Sequence, residues 1–279
     1  MNITLRNCTY KVDPGQNRFY WNAIQNGNWE PQTFDIFDAF IQTDDIVLDI
    51  GAWSGVLSLF LAKKAKKVHA LDPDPVCYKE LLANIELNPD LLNKISVYQT
   101  AISDKEEEVF LSARFQYGAS STSILPRKRD TKNSFKITTK KLHHFLEDEN
   151  IPKVDFIKMD IEGAEFQILP NLKSTLEKIN YPTFYVSFHY HFLNEHIYYQ
   201  HIPSSFLNKV FLKLEKTIGF SLFKKKINKK IQYLFDDLLD YKYIYTADGD
   251  LVSKYFLQQH PEFIKNHDLV FTNKKWNKA

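Results

Sequence analysis

Residues 46–55 read Ile-Val-Leu-Asp-Ile-Gly-Ala-Trp-Ser-Gly. The first five are almost wholly apolar, as expected of a short strand buried on both faces of a parallel sheet. The two glycines that follow mark a tight turn. Residues 56–67 place Val56, Leu59, Phe60 and Lys63 at helical spacing, with lysines at the C-terminal end, where they suit the helix dipole. Strand, glycine turn and helix in that order predict an α/β fold, and the alternation continues along the chain. Residues 67–71, 95–100, 154–159 and 183–188 read as further strands, and 75–87, 142–147 and 165–176 as helices. The runs 109–111 and 135–137 read as strands around a polar loop at 117–123. Residues 241–246 and 269–272 return to strand, with a turn at 247–250. The spacing predicts one doubly wound, mainly parallel α/β sheet. Residues 1–45 are an N-terminal extension, 46–188 the core, 189–240 an inserted segment with no strand pattern, and 241–279 a C-terminal strand pair.

The 279 residues are 44% hydrophobic and 25% charged, with a formal net charge of +2. This is ordinary globular composition and argues against disorder. A dedicated nucleic-acid binder would be far more basic, so no nucleic-acid partner is expected. Of 36 basic residues only five are arginine (Arg6, Arg18, Arg114, Arg127 and Arg129), which leaves few donors for bidentate phosphate recognition. The two cysteines, Cys8 and Cys77, make no disulfide framework. That favours a reducing compartment, and a cytoplasmic location is expected. Residues 1–16 lack an apolar signal core. The longest apolar run, 46–62, is too short and too broken for a membrane span.

The glycine loop has the form Asp49-x-Gly51-x-x-x-Gly55, at the carboxyl end of a strand, where open α/β sheets bind ligands. Gly51 lets the backbone turn tightly and approach a ligand closely. Asp72 ends the second strand, 21 residues after Gly51. A carboxylate there can accept from both hydroxyls of a ribose. A dinucleotide pyrophosphate needs free amides at the helix N-terminus, and the middle glycine of that fingerprint is missing. Asp49 would also repel a pyrophosphate. S-adenosylmethionine carries no phosphate, and its ammonium and sulfonium groups suit an acid beside the loop.

Four blocks then run in sequence: Val47-Leu-Asp-Ile-Gly-Ala-Trp-Ser-Gly55, Ala70-Leu-Asp-Pro-Asp-Pro75, Leu81-Leu-Ala-Asn-Ile-Glu-Leu-Asn88 and Val154-Asp-Phe-Ile-Lys-Met-Asp-Ile-Glu-Gly-Ala-Glu165. Together they resemble the FkbM family of S-adenosylmethionine-dependent methyltransferases, over about residues 29–165 and more weakly over the C-terminal strand pair. The Asp-Ile-Glu-Gly-Ala-Glu block is the most specific. The resemblance implies a class I methyltransferase fold, a Rossmann-like sheet of seven strands with an antiparallel last strand and a helical insertion before the last two. It implies O-methyl transfer to a sugar or polyketide hydroxyl. By position, Asp49, Gly51 and Gly55 would hold the methionyl part and Asp72 the ribose. Thr100 and Ala101 would lie by the adenine. Ala52, Trp53, Ser54, Pro73 and Asp160 complete the implied cofactor set.

A sugar hydroxyl is a poor nucleophile and needs a base or a metal to take its proton. Candidates sit at the ends of the fourth and fifth strands. His189 is the candidate base, since its ordinary pKa lies near neutrality. Asp160 would orient His189 or the acceptor, and Glu162 is the third candidate catalytic group. Asp160, Glu162 and His189 could instead hold a divalent cation such as Mg²⁺. Glu165 is expected to compensate a helix N-terminus. His189, His191, His196 and His201 crowd 13 residues. On a strand, His189 and His191 would share a face and could form a metal pair.

Among the aromatic residues of this half, Tyr190, Tyr198 and Tyr199 are candidates for a sugar-stacking acceptor pocket, and the rest read as core. Residues 223–231, Phe-Lys-Lys-Lys-Ile-Asn-Lys-Lys-Ile, are basic and partly amphipathic. The run from Lys224 to Lys230 reads either as a peripheral contact with an anionic membrane or a phosphorylated acceptor, or as a solvated helix face. The leading expectation is an O-methyltransferase acting on a sugar hydroxyl of a glycan, nucleotide sugar or glycosylated metabolite. Its competitors are nucleic-acid methylation, disfavoured by the near-neutral charge, a non-catalytic glycan- or partner-binding module, and a nicotinamide oxidoreductase.

Overall fold

A computed structural model describes residues 1–114, 116–126, 134–219 and 221–277; Arg127 and Arg129 lie outside them. Seven strands form the main sheet: β1 (Ile46–Ile50), β2 (Lys67–Leu71), β3 (Ile95–Tyr98), β4 (Phe156–Met159), β5 (Thr183–Val186), β6 (Tyr243–Thr246) and β7 (Leu269–Thr272). Their order is β6-β7-β5-β4-β1-β2-β3. The five strands from β5 to β3 are parallel, and β7 runs antiparallel to both β5 and β6. This is the doubly wound sheet with an antiparallel strand expected of a class I methyltransferase.

Both faces of the sheet are covered, so alternate residues of each strand enter two different cores. Val47, Val68, Ala70, Phe156, Tyr185 and Val270 belong to one. Leu48, Leu71, Ile157, Met159, Phe184 and Phe271 belong to the other.

The N-terminal residues are built into the first core. They form a hairpin, Asn2–Leu5 with Cys8–Lys11, and the helices Arg18–Gln25 and Pro31–Phe40. The helix Val56–Lys64 lies between these elements and the sheet, which buries all seven residues from Val56 to Ala62. Phe34 meets Phe60 with ring centroids 5.0 Å apart. Asn84 and Asn88 hold the hairpin end: their side-chain carbonyls accept from Asp13 N and Lys11 N, each at 2.8 Å.

Several elements differ from the pattern reading. The helix expected over 165–176 is broken into Glu165–Ile168, the 3-10 turn Leu169–Asn171 and Lys173–Lys178. Pro170 is responsible, since it has no N–H to continue the ladder. The third strand stops at Tyr98, and Ala101–Ile102 pairs instead with Ser134–Lys140 in a second sheet. Glu108–Ala113 and Thr122–Ser123 complete that sheet.

The segment 189–240 holds three helices, Tyr190–His201, Ser205–Ile218 and Lys224–Ile231. His189 and His191 therefore do not sit on a strand, and the shared-face metal pair is withdrawn. Ile227 and Ile231 enter the second core while the lysines around them face solvent. Among the described residues, no helix is long and apolar enough to cross a membrane.

Candidate active site

The strand order reverses direction between β1 and β4, the place where open α/β sheets bind ligands. A cavity opens there. The loop Gly51–Trp53 and Ile50 line its base, and Leu71, Asp72 and Pro73 one side. Thr100, Ala101, Ile102 and Leu111 make an apolar slot beside Asp72, and residues 119–124 form the roof. Trp29, Glu30, Lys158, Asp160, Glu162 and His189 close the other end.

The backbone is strained where it meets this cavity. Among the described residues seven non-glycine residues have positive φ, and three of them, Glu30 (42°), Trp53 (50°) and Glu162 (57°), line it. Such conformations persist where the surroundings over-determine them, and they gather at functional sites. Gly51, at φ +87°, passes so close to the end of β4 that a Cβ would lie 1.8 Å from the Asp160 carbonyl oxygen.

Asp72 is set as a hydroxyl acceptor. Its Oδ2 accepts from Trp53 N at 2.8 Å and its Oδ1 from Asp74 N at 2.9 Å. One bond per oxygen leaves further lone pairs available at the cavity wall. Burial pushes its pKa up to about 7, and the two backbone bonds only partly oppose this. A ribose diol supplies the donors this carboxylate lacks, and the apolar slot suits a purine. The residues present therefore fit an adenosine-bearing cofactor.

The roof is pinned at Gly118. Its N–H donates to Asp74 Oδ2 at 2.8 Å, and its carbonyl accepts from Trp53 Nε1 at 2.8 Å and Asn17 Nδ2 at 3.1 Å. Ser123 Oγ donates to the Glu162 carbonyl at 2.7 Å.

Asp49, Ser54 and Gly55 do not line the cavity, which corrects their direct role. The alternation of β1 directs Asp49 toward the helix Val56–Lys64. There it is fully buried, accepts from Ser58 Oγ at 2.6 Å, and lies 3.5 Å from Lys158 Nζ. The Ser54 carbonyl accepts from Asn84, and Gly55 opens the helix in the left-handed region. All three shape the loop from behind.

At the acidic end, three carboxylates surround one imidazole. His189 Nε2 lies 3.5 Å from Asp160 Oδ1 and 3.8 Å from Glu162 Oε1, and its Nδ1 lies 3.3 Å from Glu165 Oε1. Burial alone would lower the pKa of His189, but Glu165, Asp160 and Glu162 outweigh it and raise it to about 10. The surrounding carboxylates favour the protonated ring, which disfavours His189 as the base. Glu165 does more than face a helix dipole: fully buried, it accepts from Gly163 N at 2.9 Å and His189 N at 2.6 Å. It thereby joins the loops that follow β4 and β5.

Two charged cavity residues, Lys158 and Glu30, escaped the sequence reading. Lys158 is buried within β4, and its Nζ donates to the Gly51 carbonyl at 2.9 Å and lies 3.4 Å from Asp160 Oδ2. Burial works against its charge, but Asp160, Asp49 and Glu30 hold its pKa above the ordinary lysine value. Burial likewise pushes Asp160 up, and Lys158 and His189 overcome this, keeping it below the usual carboxylate range. The signal was a lysine inside an otherwise buried apolar run. Glu30 precedes the helix Pro31–Phe40. Burial, followed by the charge of Asp160, pushes its pKa up to about 7 against the pull of Lys158. No local pattern announces that residue.

Asp160, Glu162 and His189 each offer a ligand atom within 4.8 Å of one another. They fit Mg²⁺ poorly. That ion prefers oxygen ligands, and these carboxylates already face the Lys158 ammonium and the imidazolium. The other histidines do not converge: His196 Nδ1 lies 2.8 Å from the Pro126 carbonyl and His201 Nδ1 2.8 Å from that of Ile197. Tyr190, Tyr198 and Tyr199 do not line the cavity; its aromatic residues are Trp29 and Trp53.

Residues 45–222 match the family model described as the methyltransferase FkbM domain. The chain is 26% identical over 161 residues to the methyltransferase sdnD of Sordaria araneosa, a match covering 47% of this chain and 61% of that protein. It is 24% identical over 140 residues to the hexuronic acid methyltransferase AglP of Haloferax volcanii, covering 50% and 55%. The chain thus spans less than two thirds of the length of these curated relatives. A solved methyltransferase FkbM from Methylobacillus flagellatus KT aligns with 93% of this chain and 56% of that one, with 15% identity and a TM-score of 0.42.

Proposed function

The chain belongs to the FkbM methyltransferase family, and from that premise we propose that it transfers a methyl group from S-adenosylmethionine to a hydroxyl of a sugar-containing acceptor, whether glycan, nucleotide sugar or glycosylated metabolite. The observation that carries this reading is the pairing, in one cavity, of a hydroxyl-accepting carboxylate, Asp72, with the acidic end formed by Glu30, Asp160 and Glu162. The relative named as a hexuronic acid methyltransferase supports a sugar acceptor.

When bound, S-adenosylmethionine supplies an electrophilic methyl group on a cationic sulfur. Asp72 would hold its ribose, the Gly51–Trp53 backbone its methionyl part, and Thr100 and Ala101 the edge of its adenine. Lys158 and His189 hold the pKa of Asp160 down, so that it can accept from sugar hydroxyls, and Glu162 beside it adds further acceptor oxygens that fix the acceptor. Much of the rate enhancement then comes from positioning. Trp29 offers an apolar face to the sugar ring. Glu30 receives the proton of the attacking hydroxyl, because a carboxylate with a pKa near the working pH is suited to a base role. We further propose that the chain works as one domain in a reducing, cytoplasmic setting. Residues of the N-terminal 45 share a core with the helix Val56–Lys64, and Cys8 and Cys77 are both free thiols.

Calorimetric titration with S-adenosylhomocysteine tests the reading. The wild type is expected to bind, and Asp72→Ala to bind at least roughly tenfold more weakly. A folded wild type that does not bind overturns it.

A further inference from the structure

The helices of residues 190–231 do not treat their apolar faces alike. Tyr190–His201 and Lys224–Ile231 turn theirs inward, so that Leu193, Ile197, Ile227 and Ile231 are buried. The helix Ser205–Ile218 does the opposite. The one buried residue among its 14 is the polar Asn208, whose amide donates to the Ile202 carbonyl at 3.0 Å. Phe206 and Ile218 are each 72% exposed, and Leu207 and Val210 are exposed as well. At the helical repeat, Phe206, Val210, Leu214, Leu207, Ile218 and Phe211 fall within an arc of about 140°. Asn208 lies outside that arc, and Lys209, Lys213 and Lys216 border one edge of it. Just past the helix, Leu222 is 45% exposed. A surface helix ordinarily points such a stripe at the core; here Phe211 and Leu214 are half-buried and the other four face outward.

The charge around the stripe identifies its occupant. Residues 205–231 hold eight lysines and one acidic residue, Glu215, in a chain whose net charge is only +2. Protein–protein interfaces are depleted in lysine. An apolar stripe bordered by lysines instead matches the headgroup boundary of an anionic bilayer. There apolar side chains enter the acyl region while lysine stems lie along it and their ammonium groups reach lipid phosphates. We propose that the helix Ser205–Ile218, together with the lysines of Lys224–Ile231, is a docking surface for anionic lipid membranes.

The test uses the full chain with vesicles of phosphatidylcholine alone and of phosphatidylcholine with phosphatidylglycerol. Sedimentation is expected to carry the protein down with the anionic vesicles only. A Phe206→Ser/Ile218→Ser variant and a Lys224→Gln/Lys225→Gln/Lys226→Gln variant should each lower the partition coefficient by roughly tenfold or more. Both should bind S-adenosylhomocysteine as the wild type does, which shows that they are folded. The proposal is overturned if the wild type ignores anionic vesicles, or if the serine variant binds them undiminished. It is also overturned if light scattering finds a dimer that the serine variant turns into a monomer, because a second copy of the chain would then cover the stripe.

Discussion

As the proposed base, Glu30 has to be ionised at a half-buried position, and the two demands oppose each other. Its folded pKa of about 7 lies above the ordinary 4.5. A carboxyl raised in this way opposes folding increasingly as pH climbs from its unfolded value through its folded one. Glu30→Gln is therefore expected to raise the melting temperature of the ligand-free protein at pH 8. At pH 4, where the wild-type group is protonated in both states, it should change little. An equal shift at both pH values would contradict the assignment. The same variant should bind S-adenosylhomocysteine normally yet lose methyl transfer by about 10²–10⁴-fold. In the wild type, turnover should rise with pH through about 7. Lys158 shows the complementary case of a buried charge kept because carboxylate groups lie against it, Asp160 at 3.4 Å and Asp49 at 3.5 Å. Its attraction to them need not stabilise the fold on balance, but it fixes the Gly51 carbonyl where the loop must turn.

Among the elements, the roof over the cavity is tied to Asp74, Trp53 and Asn17 through the Gly118 peptide. Gly118 has φ +85°, and a Cβ there would meet Gln16 Nε2 at 2.0 Å and Val76 Cγ1 at 2.6 Å. Gly118→Ala should push the loop off Trp53 and Asn17 and weaken S-adenosylhomocysteine binding while circular dichroism stays unchanged. Retained affinity would show that the roof does not bear on the ligand. The strands were readable because burial on both faces makes each a short, mostly apolar run, as in Ile46–Ile50 and Thr183–Val186. The glycine loop and Asp72 were readable because chain spacing alone relates them. The direction of Asp49 was not, because it depends on which helix covers the face it shares with Val47. The approach of Glu30 was not, because it reaches the cavity from a segment that no periodicity links to the sheet. The state of His189 was not, because its pKa follows from three carboxylates that only folding brings together. The outward stripe of Ser205–Ile218 was also hidden, since an amphipathic pattern does not say which way it faces.

For the whole molecule, the N-terminal 45 residues behave as core rather than as an appendage. Trp21, Phe34, Ile36, Phe37 and Phe40 are all buried there, against the same helix that carries the glycine loop. A chain beginning at residue 46 is expected to lose its cooperative urea transition, because the helix Val56–Lys64 would keep an apolar surface all round with only one side covered. A sharp transition in the truncated chain would overturn this. The two cores also divide the chain by region. Among the described residues, no buried residue of 189–240 belongs to the first core, and none of 1–45 belongs to the second. Exchanging the inserted helices would therefore disturb the second core, while the cavity wall that holds Trp29, Glu30 and the glycine loop keeps its backing from the first.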